Sequence, residues 1–437
     1  MGENTTQQIR FTRSKSRRVA ADFQGGEVSS DGGLLLLREV DRRLGITQRV
    51  SAVLADGRQS GKVAHDAATL LRQRVFALSA GWEDLNDAQN LRFDSIHQVA
   101  AGSDAALASA STLCRFENAQ SRATAISINQ ILVETFIAAH DRPPAVITLD
   151  FDATDAPTHG RQEGRFFHGY YDHHCFLPLY VFCGDHLLVA YLRRANADGA
   201  RHSAAILKLL VEHIRQVWPR TKIVMRADSG FCRDLMLTWC DRHDVKYIVG
   251  IARNSRLQAL AAELMATAAE RFAATGEKQR LFTAFDYAAG SWRRLRWVIA
   301  KAEHSAKGAN PRFIITNIVG DSQQLYDRRY CARGEMENRI KEQMMLFADR
   351  VSAHRWWANQ WRILLSALAY TLMVGLRRLA LAGTALARAT CATLRLKLVK
   401  IGAVIVRSAS SVRVHLSSHH PCREVFLHAC GVLSPPR

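Results

Sequence analysis

The sequence lacks the features that mark small secreted proteins and membrane-spanning proteins. Its nine cysteines are an odd number without one C-x-x-C pair, which excludes a disulfide scaffold and disfavours a zinc finger. The first eighteen residues contain no apolar stretch, so we expect no signal peptide. The longest apolar run, Ile363–Leu376, is too short to cross a bilayer and predicts a core helix. These absences predict a cytoplasmic protein with reduced thiols and no membrane contact.

The sequence also lacks an internal repeat, which disfavours a solenoid or a propeller. At ~100–200 residues per domain, its 437 residues make roughly two to four domains. Hydrophobic residues are 48% of the chain and charged residues are 23%, which is typical of a globular protein. This composition excludes a collagen and a largely disordered chain.

Acidic residues are scarce, above all at the two ends. The chain has 59 Lys and Arg against 40 Asp and Glu, a formal charge of +19. Residues 353–437 hold twelve basic side chains and one acidic one, Glu424, and the first eighteen residues hold five and one. An excess of positive charge destabilises the folded protein by self-repulsion. Proteins that keep such an excess usually bind a polyanionic partner. The basic ends therefore predict phosphate contacts around a more acidic middle.

The texture of the sequence divides the chain into six segments. Before residue 141, apolar residues recur at spacings of three and four residues, which predicts helices. An Asp-Arg-Pro-Pro string that begins at residue 141 then marks a domain boundary. The predicted segments are a flexible basic arm (1–20), a helical domain (21–141), the first part of an α/β core (142–252), a β-rich insertion (253–328), a core helix (329–352) and a basic helical and β region (353–437).

Several elements are predicted individually. Asp31 is a candidate cap for a helix that starts at Leu34 and ends near Gly45. The predicted order of strands and helices in the core is β-β-β-α-β-α-β. Its strands are AVITLDFDAT, Phe176–Phe182, Leu187–Leu192, Lys222–Ala227 and Lys246–Ile251, and the second and third are joined at Gly184-Asp185. A long amphipathic helix over Glu335–Ser352 and two late strands, Leu394–Lys400 and Val412–Leu416, complete the prediction.

Four carboxylates occur where a catalytic site is expected. Alternation along the first strand puts Asp150 and Asp152 on one face, and Asp228 ends a later strand. Glu337 is on the long helix. Sites in open α/β sheets form at the carboxyl ends of strands, so these residues predict oxygen ligands for two Mg²⁺ or Mn²⁺ ions. Two such ions ~3.5–4 Å apart are the usual clamp for phosphodiester displacement.

The same residues also have plain structural interpretations. An Asp at a strand end often forms a turn or a cap, which suits Asp155 better than catalysis. Arg333, Glu337 and Lys341 are four residues apart, the spacing of a solvated salt-bridge series. The strand order and the basic flanks favour the catalytic interpretation when the four carboxylates are taken together.

The predicted strand order is that of the ribonuclease-H-like fold. The string Tyr330-x2-Arg333-x3-Glu337 resembles the Y-x2-R-x3-E-x6-K signature of DDE transposases from bacterial cut-and-paste insertion sequences. Longer strings, among them FQGGEVSSDGGLLLLREVDRRLGI, RADSGFCRDLMLTWC and ARGEMENRIKEQ, resemble the DDE-domain group 1 branch. The resemblance extends from about Phe23 to near the C-terminus. It implies an α/β fold, with a ribonuclease-H-like catalytic core and a β-rich insertion between an α-helical N-terminal domain and a basic helical and β C-terminal region.

The resemblance implies a role for each site residue. Asp152 matches the first catalytic Asp, with Asp150 as its competitor and a further metal ligand, and Asp228 and Glu337 match the other two. Tyr330 and Arg333 match the positions that hold DNA phosphate, but the Lys expected seven residues after Glu337 is Met344. Lys341, one helical turn after Glu337, is the alternative for that contact.

The insertion of related hairpin-forming transposases carries a Trp that stacks on a flipped base. Trp292 is the first candidate for this role and Trp297 the second, and packing of the insertion is the competing interpretation for both.

A histidine-rich string also resembles a metal cluster by composition. It contains His168, His173, His174 and Cys175, but its spacing fits no standard zinc site. We interpret these residues as packing or as polar groups near the substrate.

The resemblance predicts a bacterial, nucleoid-associated enzyme that cuts the ends of an insertion sequence and joins them to target DNA. It implies that the helical domain (21–141) binds the terminal inverted repeats and that the basic C-terminal region (353–437) serves DNA binding or dimerisation. It also implies contact with target DNA, two Mg²⁺ or Mn²⁺ ions, and a homodimer on DNA. Two other functions stay open: a catalytically inactive protein that occupies the inverted repeats, and a ribonuclease-H-like nuclease without strand transfer.

Overall fold

The computed structural model describes residues 8–54 and 56–434. The chain forms two compact units. The first comprises residues up to 51, residues 56–116 and residues from 372 onward. The second comprises residues 52–55 and 117–371.

The N-terminal third is mostly helical, as its apolar spacing predicts. Its elements are β1 Ile9–Ser14, β2 Arg17–Ala21, β3 Glu27–Ser29, α1 Leu34–Leu44, α2 Ile46–Ala52, α3 Ala67–Ala80, α4 Asp87–Leu91, α5 Ser95–Ala101, α6 Ala110–Asn118 and α7 Arg122–Ala138. Residues 1–7 of the predicted basic arm lie outside the described residues, whereas β1 and β2 pair as an antiparallel hairpin with every residue exposed.

Helix α1 has the predicted bounds, but Asp31 is not its cap. The N-cap is Gly33, which makes no side-chain hydrogen bond, and the helix ends at a left-handed Gly45. A Cβ at Gly33 would lie 1.6 Å from the carbonyl oxygen of Leu398, so this close backbone approach requires glycine. The prediction was wrong because the Asp31 carboxylate binds side chains that are distant in the sequence, Trp82, His97 and Lys400.

Asp31 instead centres a buried polar cluster of the first unit. Its carboxylate accepts from Trp82 Nε1 at 2.7 Å and is 2.8 Å from His97 Nε2 and from Lys400 Nζ. Burial alone would raise the pKa of Asp31, but these three hydrogen bonds hold it well below its ordinary value.

The central segment supplies most of the large sheet. Its elements are β4 Val146–Ala153, β5 Ala156–Pro157, β6 Phe166–His168, β7 His173–Phe176, β8 Leu179–Cys183, β9 His186–Tyr191, α8 Ser203–Val217, β10 Lys222–Ala227, α9 Asp234–Arg242 and β11 Lys246–Ile251. The strand predicted over Phe176–Phe182 is two strands. Pro178, which has no N–H to donate, separates β7 of a small sheet from β8 of the large one.

The region expected to be a β-rich insertion extends the same sheet. Its elements are α10 Ser255–Leu260, α11 Ala262–Thr275, β12 Gln279–Tyr287, β13 Arg296–Ser305, β14 Gly308–Ala309, β15 Arg312–Thr316, α12 Ser322–Gln324 and α13 Gly334–Met344. Strand β15 pairs with β11, β13 pairs with β15, and β12 pairs with β13, all antiparallel.

The large sheet of the second unit is mixed. Its order is β12-β13-β15-β11-β10-β4-β8-β9, and β14 pairs with β13. Strands β4 and β11 both run parallel to β10, whereas β8 is antiparallel to β4 and to β9. The carboxyl ends of β4 and β10 therefore lie at one edge of the sheet.

Helix α7 belongs to this second unit, although the predicted boundary at residue 141 grouped it with the N-terminal helices. The reason is burial, because Val133 and Phe136 lie in the apolar core beneath the sheet. That core also contains Phe151 of β4 and Phe231, which follows β10.

The helix predicted over Glu335–Ser352 ends earlier, at Met344. Phe347 has a left-handed φ of 67°, and the amide of Ala348 donates to Gln343 O, so the chain turns out of the helix. The apolar stripe that suggested a longer helix is buried on both sides of this turn, since Ile340 and Val351 are both in the core.

The C-terminal segment contains α14 Trp356–Ala380, α15 Cys391–Leu394, β16 Ala403–Arg407, β17 Val412–Leu416 and α16 Arg423–Leu433. The strand predicted over Leu394–Lys400 is helical instead, with a π-helical turn over Arg395–Val399. Leu394 and Leu398 are buried and Leu396 is 70% exposed. In a strand, Leu394, Leu396 and Leu398 would all lie on the same face. Burial of Leu394 and Leu398 without Leu396 is instead the four-residue period of a helix.

Helix α14 contains the run Ile363–Leu376 that the sequence predicts to be a core helix. By length and composition it is the one helix of the described residues that could cross a membrane. Its most apolar eighteen-residue window is 89% buried inside the protein, which is the environment of a core helix.

Candidate active site

Strands β4 and β10 place two aspartates at the same edge of the sheet. Asp152 is the penultimate residue of β4, and Asp228 directly follows β10. The parallel register pairs Asp150 with Arg226 and Phe151 with Ala227, so the two strands end level with each other. Helix α13 adds Glu337 from a different part of the chain.

Arg333 joins Asp152 to Glu337. Its Nη1 is 2.9 Å from Asp152 Oδ2, and its Nη2 is 2.8 Å from Glu337 Oε1. The guanidinium is mostly buried, with 19% of its side chain exposed, whereas half of the Glu337 side chain is exposed. One fixed cation therefore lies between two of the predicted catalytic carboxylates.

Asp152 is held in an environment that disfavours its charge. Burial, with the nearby charges of Asp228 and Glu337, raises its pKa to about 6, although Arg333 acts in the opposite direction. Its Oδ1 also accepts from the amide of Ala153 at 2.9 Å. A buried carboxylate beside two others favours an added positive charge.

Asp150 has a different environment, although alternation puts it on the same face of β4. Arg226 binds it with both Nε and Nη2, the latter at 2.8 Å from Oδ2, and the Arg226 Nη1 donates to the carbonyl oxygen of Arg329. Burial raises the pKa of Asp150 above its usual value, although the pair with Arg226 acts in the opposite direction. This bidentate pair occupies the oxygens that a second metal ligand would need, which favours Asp152 over Asp150 for the chemistry.

Asp228 and Tyr330 approach each other at the end of β10. Asp228 Oδ1 accepts from the amide of Gly230 at 2.8 Å and caps a short 3₁₀ turn. A Cβ at Gly250 would lie 2.6 Å from Tyr330 Oη and 2.9 Å from the amide nitrogen of Ser229, so the close packing of Tyr330 here requires glycine. Burial raises the pKa of Tyr330, and the charge of Asp228 contributes in the same direction.

The remaining helix residue of the predicted site faces solvent. Lys341 is exposed, one turn beyond Glu337, and in the described part of the chain it forms no ion pair. Met344, which takes the place of the expected Lys, is the last residue of α13 and is half-buried.

The two candidate tryptophans differ in accessibility. Trp292 is half-buried, and its ring meets Tyr287 edge-on at 5.6 Å. It also packs against the apolar core of the second unit. Trp297, on β13, is 44% exposed. Packing thus accounts for Trp292, while Trp297 presents the more accessible ring.

The histidine-rich string lies in the small sheet of β5, β6 and β7, where it supplies the end of β6 and most of β7. His173 Nε2 is 2.9 Å from Asp155 Oδ2, and Cys175 is fully buried. Across residues 8–54 and 56–434, no three His, Cys, Asp or Glu side chains are close enough to share a metal ion as they are arranged.

The donor chemistry at the sheet edge nevertheless suits a divalent cation. Asp152, Asp228 and Glu337 offer only carboxylate oxygens, which Mg²⁺ and Mn²⁺ prefer. The guanidinium of Arg333 already occupies a cationic position between two of them.

Two residues of this site were not among the predicted ones. Arg226 neutralises Asp150, and Gly250 makes room for Tyr330. The signal for Arg226 was present, because the parallel register of two adjacent strands with Asp150 and Arg226 at matching offsets places them side by side. No sequence pattern marked Gly250.

Comparison with known proteins identifies the family of the chain. The family model "Transposase DDE domain group 1" matches residues 11–436. A search of curated proteins finds no matching sequence. Among solved structures, the chain is similar to a piggyBac transposase in the cryo-EM structure of its synaptic complex with hairpin DNA. The TM-score is 0.42 at 10% identity, over 79% of this chain and 75% of that chain. Since the family model spans nearly all of it, the chain belongs to the transposase DDE domain group 1 family.

Proposed function

We propose that this transposase cuts DNA at the ends of its own mobile element and joins the freed ends to target DNA by a cut-and-paste route. The observation that carries the proposal is that Arg333 pairs with both Asp152 and Glu337, while Asp228 follows the strand beside that of Asp152 and its charge acts on the Asp152 carboxylate. The strand order β9-β8-β4-β10-β11 supports a ribonuclease-H-like core. The formal charge of +19 supports DNA as the partner.

Each residue has a definite task in this proposal. Asp152, Asp228 and Glu337 hold two divalent cations, Mg²⁺ or Mn²⁺, which when bound activate the attacking oxygen and stabilise the leaving one. Tyr330, Arg333 and Lys341 contact phosphates near the cleaved bond. Asp150 stays paired with Arg226 and keeps β4 and β10 in register.

The reaction has two displacements at phosphorus. Water attacks the phosphodiester at the element's end, the P–O3′ bond breaks, and a 3′-hydroxyl is released. That hydroxyl then attacks a phosphodiester of the target, so one bond is exchanged for another. Because two ends must be joined, we propose a homodimer on DNA, with the basic regions at both ends of the chain contacting the inverted repeats. The proposed location is the bacterial nucleoid.

The direct test is cleavage of a labelled duplex that carries the ends of the protein's own element. The native chain should nick the duplex in Mg²⁺, and Glu337→Gln should bind it without cutting. Glu335→Gln is the matched control, since Glu335 is exposed in the first turn of the same helix. It should cut at the native rate.

A second DNA substrate separates the alternatives. Joined products from a labelled end and an unlabelled target support transposition, whereas cutting without joining indicates a nuclease. Binding without cutting by the native chain, with Mn²⁺ also tried, contradicts the catalytic proposal and favours a protein that only occupies the inverted repeats.

A further inference from the structure

An arginine-lined cleft of the second unit has no part in the chemistry described so far. Its volume is about 520 Å³, and its charged lining residues are Arg201, Arg233, Arg293, Asp198 and Asp234. We propose that this cleft binds the phosphates of the DNA strand that passes the Asp228 side of the active site. The inference rests on the proposed function, because it assigns part of the path of the same DNA.

The topology connects this cleft to the catalytic edge. Strand β9 is antiparallel to β8, which is antiparallel to β4, so β9 and β4 run in the same direction. The loop that follows β9 therefore leaves the sheet at the edge where Asp152 and Asp228 lie, and Arg201 ends that loop. Arg233 follows Asp228 by five residues and directly precedes α9.

The acidic residues of the cleft are already neutralised. Asp198 Oδ2 is 2.7 Å from Arg233 Nη2, and Asp234 Oδ1 is 2.9 Å from Arg296 Nη2. Within the described residues, Arg201 and Arg293 form no ion pair with a carboxylate, and both are exposed. The cleft therefore presents two uncompensated positive charges to solvent.

The loop that carries Arg201 is fixed before any ligand binds. Arg193, only 2% exposed, donates from Nη1 to the carbonyl oxygens of Gly199 at 2.6 Å and of Arg201 at 3.1 Å. The amide of Ala200 donates to Asp198 Oδ1 at 2.8 Å. A preformed loop loses little conformational entropy on binding, which suits a positioning contact.

The ligand chemistry follows from the lining. Guanidinium groups match phosphate oxygens in charge and in planar, two-donor geometry. Leu235, which is 73% exposed in the same cleft, offers an apolar surface to a deoxyribose ring. A phosphodiester strand offers both kinds of group, and the proposed function already places a DNA strand at this edge of the sheet.

The test is DNA binding by the full chain without divalent metal, so that cleavage plays no part. The probe is a labelled duplex of the element's end, titrated at several salt concentrations. Arg201→Ala with Arg293→Ala should weaken binding roughly tenfold or more and lower the salt slope by about two, near 0.9 for each phosphate that the variant no longer neutralises. Arg201→Lys with Arg293→Lys should restore most of the slope, because charge is retained.

The matched control is Arg215→Ala with Arg220→Ala. It removes the same charge at the far end of α8, where Arg220 is exposed. Equal affinity and equal salt slope in the two double variants overturn the inference. Cleavage by the native chain is scored separately. Loss of binding in the cleft variant, with no cutting by the native chain, keeps this inference while the catalytic proposal fails.

Discussion

Replacing Asp152 with Asn should make the protein more stable while abolishing cleavage. The pKa of Asp152 is about 6, against 3.8 for an ordinary Asp. At about 1.4 kcal/mol per pH unit, holding this carboxylate ionised costs the folded state ~3 kcal/mol at neutral pH. Asn has nearly the same volume and no charge, so it removes that cost. The raised pKa already includes the attraction of Arg333, so only hydrogen bonds that the Asn fails to reproduce reduce this gain, and we expect about 1–3 kcal/mol.

The pH dependence of this gain has a definite sign. A carboxylate with a raised pKa destabilises the folded state wherever it is ionised, and the penalty disappears once both states are protonated. The native chain and Asp152→Asn should therefore be equally stable near pH 4 and diverge between about pH 4 and pH 6. Above that window the difference should be constant.

Urea unfolding of both proteins without metal, at about pH 4 and about pH 7.5, measures this difference. Glu335→Gln serves as a control for removing an exposed carboxylate. If Asp152→Asn is less stable than the native chain at the higher pH, the carboxylate is required for folding. The inference that its charge is held there for function is then wrong. Added Mg²⁺ should stabilise the native chain and leave the variant unchanged.

Three further substitutions test other parts of the site and fold. Asp150→Asn leaves the buried guanidinium of Arg226 without a carboxylate partner among the described residues, whereas Arg333 keeps Glu337 when Asp152 is replaced. Unpairing a buried charge costs about 3–5 kcal/mol, so the free energy of unfolding should fall in urea, by less than that amount because the burial cost that raises the pKa of Asp150 is removed too. The cleavage rate per folded molecule should be retained. Gly250→Ala places a Cβ 2.6 Å from Tyr330 Oη, and single-turnover cleavage should slow roughly 10–100-fold with DNA affinity unchanged. Asp31→Asn should lower the urea midpoint of the first unit at neutral pH. Its three hydrogen bonds hold the pKa low, so the deficit should shrink as the pH falls below about 4.

Strand periodicity and turn residues were enough to predict the central sheet. The strands Lys222–Ala227 and Lys246–Ile251 have the predicted bounds, and the hairpin at Gly184-Asp185 joins β8 to β9. These segments are buried on both faces and bounded by turn residues, so local sequence and tertiary packing favour the same structure.

Periodicity was misleading where packing decided between helix and strand. The run from Leu394 to Lys400 alternates apolar and basic residues, as an edge strand does, yet it is helical. Thr390 supplies the reason, since its side chain caps the preceding turn by accepting from the amide of Thr393. A single cap of this kind is a weaker signal than five alternating residues, so the sequence alone favoured the strand.

The carboxylates of the site were predictable because alternation and strand ends locate them. Their separate environments were not, since burial and pairing depend on residues far apart in the sequence. Asp150 and Asp152 are equivalent by alternation, and only Arg226 on one side and Arg333 on the other distinguish them. Arg333 is 181 residues from Asp152, which no local pattern could connect.

The spacing of Arg333 and Glu337 had two competing interpretations, a solvated salt-bridge series and a catalytic signature, and the ion pairs of Arg333 are compatible with both. The four-residue spacing does form an ion pair, at 2.8 Å. The same guanidinium continues to Asp152 at 2.9 Å, so the pair extends from the helix surface into the buried end of β4. A surface pair of this kind contributes little stability by itself. Its effect here is positional, because one rigid group fixes the distance between two carboxylates from different elements. A pair that looks merely structural in the sequence thus also belongs to the proposed site when its cation has a second carboxylate partner.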